Sequence, residues 1–254
     1  MNTTTLTGRR DTRQPEQRRA ARMAACASIV AAVCTTVLVG PAHAGRPMAT
    51  EDAGTLPDGD CEVESFVGRA RAPGEPRLSA ASVQIGCGVG NRNQVALAIS
   101  GSRLDGLSAQ AVAVLGKTRL TAPVEQGTNY SLAWGVSAER QSGQTLKHEA
   151  SYLTAVMSMD LSDDLIWHAN LGWTHSKSES MSTTVWATGL EYATSPTLDL
   201  TAEIHGNDRE NQPWLQVGAR WTVVADKFLL DTSYGMQTGA VKARLFTVGL
   251  HYFF

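Results

Sequence analysis

Leu165-Ile-Trp-His-Ala-Asn-Leu-Gly-Trp173 puts Leu165, Trp167, Ala169, Leu171 and Trp173 on one face of an extended chain. Ile166, His168, Asn170 and Gly172 fall on the other. Successive side chains of a strand point to opposite sides, so a period of two separates an apolar face from a small, polar one. The same alternation recurs outward from this stretch. Upstream, Tyr130, Leu132, Trp134 and Val136 alternate with Ser131, Ala133, Gly135 and Ser137. Downstream it runs through Leu198–Ile204, Leu215–Val223 and Phe246–Phe254. Weaker versions at 61–69, 82–90, 93–101, 109–119, 148–160, 183–193 and 227–235 bring the count to about twelve strands, with ten to fourteen compatible with the boundaries. In 148–160, Tyr152, Thr154 and Val156 compete with Leu153, Ala155, Met157 and Met159 for the apolar face. Helical periodicity is nearly absent after Cys61.

The connections alternate in kind. Asn91-Arg92, Ser162-Asp163-Asp164, Ser195-Pro196-Thr197 and Ala225-Asp226 are short; 120–128 is the exception on that side. The stretches 70–81, 102–108, 140–147, 175–182, 206–212 and 236–242 are longer and rich in Ser, Gly, Gln, Asn and charge. Short turns at one end and longer polar loops at the other predict an all-β, antiparallel up-and-down transmembrane β-barrel over 61–254.

The 254 residues carry a formal charge of −2 and are 43% hydrophobic, which excludes wholesale disorder. Residues 1–44 hold six Arg against Asp11 and Glu16, a net +4, so the remainder carries −6. An acidic body argues against a nucleic-acid partner. Within 1–44, Arg18-Arg19-Ala-Ala-Arg22 precedes an apolar stretch from Met23 to Gly40 and an Ala42-His43-Ala44 cleavage motif, the pattern of a secretory signal peptide. Residues 45–60 (GRPMATEDAGTLPDGD) read as an extended periplasmic segment. Cys26 and Cys34 leave with the leader. Cys61 and Cys87 remain, on the same face of adjacent strands, and are expected to form one disulfide that pins the first hairpin.

Alternation alone also fits a soluble sandwich. The aromatic residues favour lipid: Tyr130, Trp167, Trp173, Trp186 and Tyr192 lie on apolar faces near strand ends, as do Trp221, Tyr234, Tyr252 and Phe254, where they would form membrane girdles. The opposite faces carry recurring glycines, which suit the crowded interior of a closed cylinder. Leu245-Phe-Thr-Val-Gly-Leu-His-Tyr-Phe-Phe254 resembles the closing strand of bacterial outer-membrane proteins, and that resemblance implies recognition by the outer-membrane assembly machinery. Arg46-Pro-Met-Ala-Thr-Glu-Asp-Ala-Gly54, Cys61-Glu-Val-Glu64, Gly86-Cys-Gly-Val-Gly90, His168-Ala-Asn-Leu-Gly-Trp173 and Gly189-Leu-Glu-Tyr192 resemble blocks of the outer-membrane transporter family associated with meta-pathway phenol degradation. The resemblance implies the outer membrane of a Gram-negative bacterium, contact with its lipid and lipopolysaccharide, and uptake of small solutes, hydrophobic or aromatic ones among them.

Twelve strands ~4.8 Å apart and tilted ~40° enclose a backbone circle roughly 24 Å across. The inward face is expected to include Glu64, Lys117, Glu139, His168 and Asn170, together with Glu191, Glu203, His205, Arg220 and Asp231. Two outcomes fit these residues: a polar conducting path, or a mutually paired network that closes the lumen. No nucleophile–base spacing, metal-ligand cluster or phosphate loop stands out, so neither a catalytic nor a cofactor site is expected. The outer-membrane phospholipase arrangement has Ser where this chain has Asn170, two residues after His168.

Overall fold

The computed structural model describes residues 46–122, 127–239 and 242–254. The leader at 1–44 lies outside them. None of the described residues is helical. The strands are β1 (Cys61–Arg71), β2 (Leu78–Val89), β3 (Asn93–Leu104), β4 (Leu107–Arg119), β5 (Thr128–Gln141), β6 (Lys147–Ser162), β7 (Leu165–Ser176), β8 (Met181–Ser195), β9 (Leu198–Asn207), β10 (Trp214–Val224), β11 (Phe228–Gln237) and β12 (Arg244–Phe253). Each pairs antiparallel with its sequence neighbours, and β1 pairs with β12 from Glu62 opposite Phe253 to Arg71 opposite Arg244. The result is a closed twelve-stranded barrel.

Register converts the sequence alternation into an inside and an outside. In β7, His168, Asn170 and Gly172 share the inner face with Thr154 and Val156 of β6 and Gly189 of β8. Leu171 points outward and is 62% exposed; Ile99 and Val67 reach 67% and 61%. A continuous band of such side chains is far more apolar surface than a water-facing wall carries. In β6 the competing faces resolve by the same rule: Tyr152 and Val156 are buried inside, and Leu153 is exposed outside.

Both ends of the barrel sequence, Cys61 and Phe254, lie at one rim, here called the terminal end, with the turns 90–92, 163–164, 196–197 and 225–227. The 120–127 connection is also there. It is long, but β4 and β5 on either side keep continuous register. The opposite rim, the far end, carries most of the longer connections. The expected 102–108 loop is instead strand up to Leu104 and from Leu107, joined by Asp105-Gly106 with φ values of 47° and 81°. A two-residue hairpin turn needs positive φ at both positions, which Asp-Gly supplies at little cost. The polar run Ser102, Arg103, Ser108 looks like a loop but is strand rim.

The segment expected to extend outside the barrel is the larger correction. Residues 46–56 run inside the cylinder, with Met48, Thr50, Glu51 and Ala53 at 3% exposure or less. Wall side chains bond many of their backbone groups, which is why a polar, unpatterned stretch can be buried.

Cys61 and Cys87 are directly opposed on β1 and β2 and are disulfide-bonded. Cys61 also exchanges backbone hydrogen bonds of 2.9 Å with Phe254, so the crosslink sits beside the seam where the barrel closes. Closing a 26-residue separation is worth about 3.5 kcal/mol in the chain-entropy model. The Cys61→Ser/Cys87→Ser protein is expected to fold to the same barrel but to unfold at lower denaturant, by about that amount. Heat-modifiable gel mobility across a urea series checks this; an unchanged midpoint would show that the crosslink adds nothing.

Candidate functional site

The inner wall of the terminal half is polar and ionic, and residues 46–58 cross it. Arg46 enters at mid-depth. Its Nη2 donates to Asp231 Oδ1 at 2.9 Å and to Thr247 Oγ1 at 3.2 Å, and its Nε lies 3.8 Å from Glu64 Oε1. The guanidinium carbon stands 4.4 Å from the centre of the Phe66 ring. Asp231 and Glu64 also face His251 Nε2, at 3.4 and 3.8 Å. One cation thus sits between two carboxylates on an aromatic face, a geometry suited to Arg.

The chain next meets Glu203 of β9. This carboxylate accepts from Ala49 N at 2.7 Å, Thr50 N at 2.8 Å, Thr50 Oγ1 at 2.6 Å and Gln216 Nε2 at 2.8 Å. Gln216 Nε2 also donates to Pro47 O. Four donors on one buried carboxylate compensate its loss of water, and charge-assisted bonds of this kind are the strong ones.

Lys117 of β4 holds the middle of the segment. Its ammonium is fully buried, 3.3 Å from Glu51 Oε2 and 3.6 Å from Asp52 Oδ2, and it donates to Asp52 O at 2.9 Å. From β7, Asn170 faces the Glu51 backbone; with the amide turned as its neighbours require, its oxygen accepts from Glu51 N at 2.6 Å and its nitrogen donates to Glu51 O at 3.1 Å. Ala53 N donates to Ser158 Oγ, Ser131 Oγ donates to Ala53 O, and Leu56 N donates to Gln94 Oε1. The segment leaves along β2, where Asp58 bridges to Gly88 and Asp58 Oδ1 accepts from Gly90 N. From Arg46 to Asp58 it touches opposite walls in turn and spans the lumen.

Inward glycines make the room. A Cβ on Gly88 would overlap the Pro57 carbonyl, and one on Gly218 would overlap the Pro47 ring. At Gly189 the atom would come within 3.0 Å of Met48 Sδ, and at Gly249 within 2.8 Å of Arg46 Nε.

Of the residues expected to line the lumen, Glu64, Lys117, Asn170, Glu203 and Asp231 hold the segment directly. Arg220 donates to Arg46 O, and pairs with Glu191 and with Asp199 at 3.0 Å. His168 lies beneath the segment, its Nδ1 2.8 Å from Ser158 Oγ. Glu139 and His205 are inward but stand nearer the far end, away from the segment; the His205 ring lies parallel to Trp214 with centroids 6.3 Å apart. Gln84, Gln94, Ser131, Ser158, Gln216, Thr247 and the segment itself were not singled out by the sequence. The one hint was the repeated inward glycine, a wall set back from something. Of the girdle residues, Tyr130, Trp173, Trp221, Tyr252 and Phe254 are exposed on the outside. Trp167 is half-buried there and donates Nε1 to Thr188 Oγ1.

The far half of the inner wall changes character over one sector. Buried Ala70 and Leu78 pack with Phe66, Ala80, Leu104, Trp214 and Leu245. Trp214 follows a polar loop and its inward orientation is not evident from alternation.

Among solved structures, the chain resembles the KdgM porin, with a TM-score of 0.54 at 10% identity over 74% of this chain and 98% of that one. It resembles the NanC porin with a TM-score of 0.53 at 9% identity, over 75% and 98%. It resembles the COG4313 outer membrane channel from Pseudomonas putida F1 with a TM-score of 0.52 at 13% identity, over 80% and 98%. These likenesses are of fold. No curated protein matches the chain. Residues 32–254 match the family described as "Uncharacterised conserved protein UCP029691", and the chain belongs to that family.

Proposed function

We propose that this chain is a passive outer-membrane pore for small solutes whose resting lumen is closed by its own residues 46–58. Two porins and an outer membrane channel share its fold. The exposed apolar band and the aromatic residues towards both rims support immersion in lipid. β12, which ends at Phe253 and runs on to Phe254, is the proposed signal for the assembly machinery.

The observation that carries the reading is how the lumen is closed. Bulky side chains on the wall would shut it permanently. Here the wall is set back by Gly88, Gly189, Gly218 and Gly249 along the segment's path, and much of the blocking mass is a tethered segment held by hydrogen bonds and ion pairs as well as by the packing of Ala53. Such contacts can exchange for water if the segment withdraws. The apolar sector around Phe66, Leu78 and Trp214 supports solutes with an apolar or aromatic surface, as does the resemblance of the short sequence blocks to the phenol-pathway transporters.

A second reading, a permanently closed structural barrel, draws on the buried Lys117–Glu51 pair, since breaking a buried pair costs about 3–5 kcal/mol. Deleting residues 46–56 separates the two. The shortened barrel is expected to give larger conductance steps in planar bilayers than the full chain and to admit small solutes into liposomes. A correctly folded deletion protein that passes no current would overturn the pore reading. Immersion in lipid has its own measurement. Leu171→Arg, at mid-height on the outer face, is expected to cost about 2–4 kcal/mol of folding free energy in lipid vesicles. On a water-facing wall the same change would stay within about 0.5 kcal/mol.

A further inference from the structure

The outer face of the far end is chemically lopsided. On β12, β1, the entry to β2 and β3, outward positions are Arg244, Arg69, Arg71, Arg77 and Arg103, all exposed. Arg71 and Arg244 are direct cross-strand partners. Arg77 precedes Leu78, which pairs with Ala70, so the continuing register sets it opposite Arg71 on the other side. Three guanidiniums therefore stand in one row, with neighbours roughly 5 Å apart at the backbone. Arg69 and Arg103 flank a common partner, Ser79, one row lower.

Like charges directly opposed across a strand pair are destabilising unless an anion lies between them. Among the described residues none of these five arginines forms an ion pair or a side-chain hydrogen bond. The described acids of this sector of the rim are Asp105, exposed in the β3–β4 turn, and Glu75, half-buried in the 72–77 connection. The row sits just above exposed Val67, Val83, Ile99 and Phe246. Between the guanidiniums the wall is small, with Ser79, Ala81 and Gly101. Outward strand positions of β7–β11 near this rim carry no Arg; they carry Trp173, Ile204, Leu215 and Met236 instead.

We infer that this sector is a docking surface for the phosphorylated glycolipid of the outer leaflet, with the lipid phosphates between Arg71, Arg77 and Arg244 and the acyl chains along Val67, Val83 and Ile99. Guanidinium recognises phosphate bidentately. An anionic headgroup joined to acyl chains matches a cationic row directly above an apolar band. The inference shares with the proposed function the placement in the outer membrane, with the far end outward. It does not require that the barrel conduct.

The test titrates the purified full-length barrel in detergent with diphosphorylated lipid A and reads bound lipid by native mass spectrometry. Wild type is expected to bind it, more weakly as salt rises, and to bind dephosphorylated lipid A far less. R71Q/R244Q is expected to weaken binding roughly fivefold for each guanidinium removed. R209Q, on the other side of the rim, should leave it unchanged. Equal binding of the dephosphorylated lipid, undiminished binding by R71Q/R244Q, or displacement of the lipid by equimolar inorganic phosphate would overturn the inference. If R71Q/R244Q fails to fold, the two lipids compared on wild type decide the matter alone. Loss of conductance in the bilayer experiment would leave this result standing, so the two readings fail separately.

Discussion

Backbone hydrogen bonds that leave no free edge are the constraint on which the rest of this structure depends. A strand edge exposed to hydrocarbon leaves a row of donors and acceptors with nothing to bond, at several kcal/mol each. Pairing β1 with β12 removes both edges at once. Closure then forces alternate residues into a narrow interior, because register allows no third choice of direction. The ionised groups of the inner face follow from that confinement rather than from local preference.

Confinement makes charge pairing obligatory. Lys117, Glu203 and Asp231 are buried from bulk water, and the wall alone does not satisfy them all. Residues 46–58 supply what is missing: carboxylates for Lys117, backbone N–H groups for Glu203, and a guanidinium for Asp231. The segment and the wall are two halves of one electrostatic arrangement. Removing either leaves the other with buried charge, so the seated state has a depth set by hydration as much as by contact.

What the sequence displays follows the same division. Strand identity and the direction of His168, Asn170 and Leu171 are legible because an apolar outer face and a crowded polar interior impose opposite demands on neighbouring residues. Asp105-Gly106 was readable in principle, but polar residues at the strand rim hide a two-residue turn within an apparent loop. The path of residues 46–58 is not legible, since no periodicity marks a chain whose partners are side chains scattered around the barrel from β1 to β12. Pairing partners such as Ser158 and Gln216 are invisible for the same reason: ordinary polar residues become specific only when another chain segment lies against them. Trp214 breaks the polar-inside rule because the far half of the lumen is partly apolar.

The Asp58–Gly88 bridge fixes one end of the segment to the barrel rim, three residues before β1 begins at Cys61. In the proposed gate, withdrawal and return are therefore unimolecular. A segment on so short a leash would meet its own binding groove at an effective concentration in the millimolar range. Reseating is then independent of how many copies the membrane holds. A free peptide of the same sequence would compete only at comparable concentrations, so each barrel governs its own occupancy.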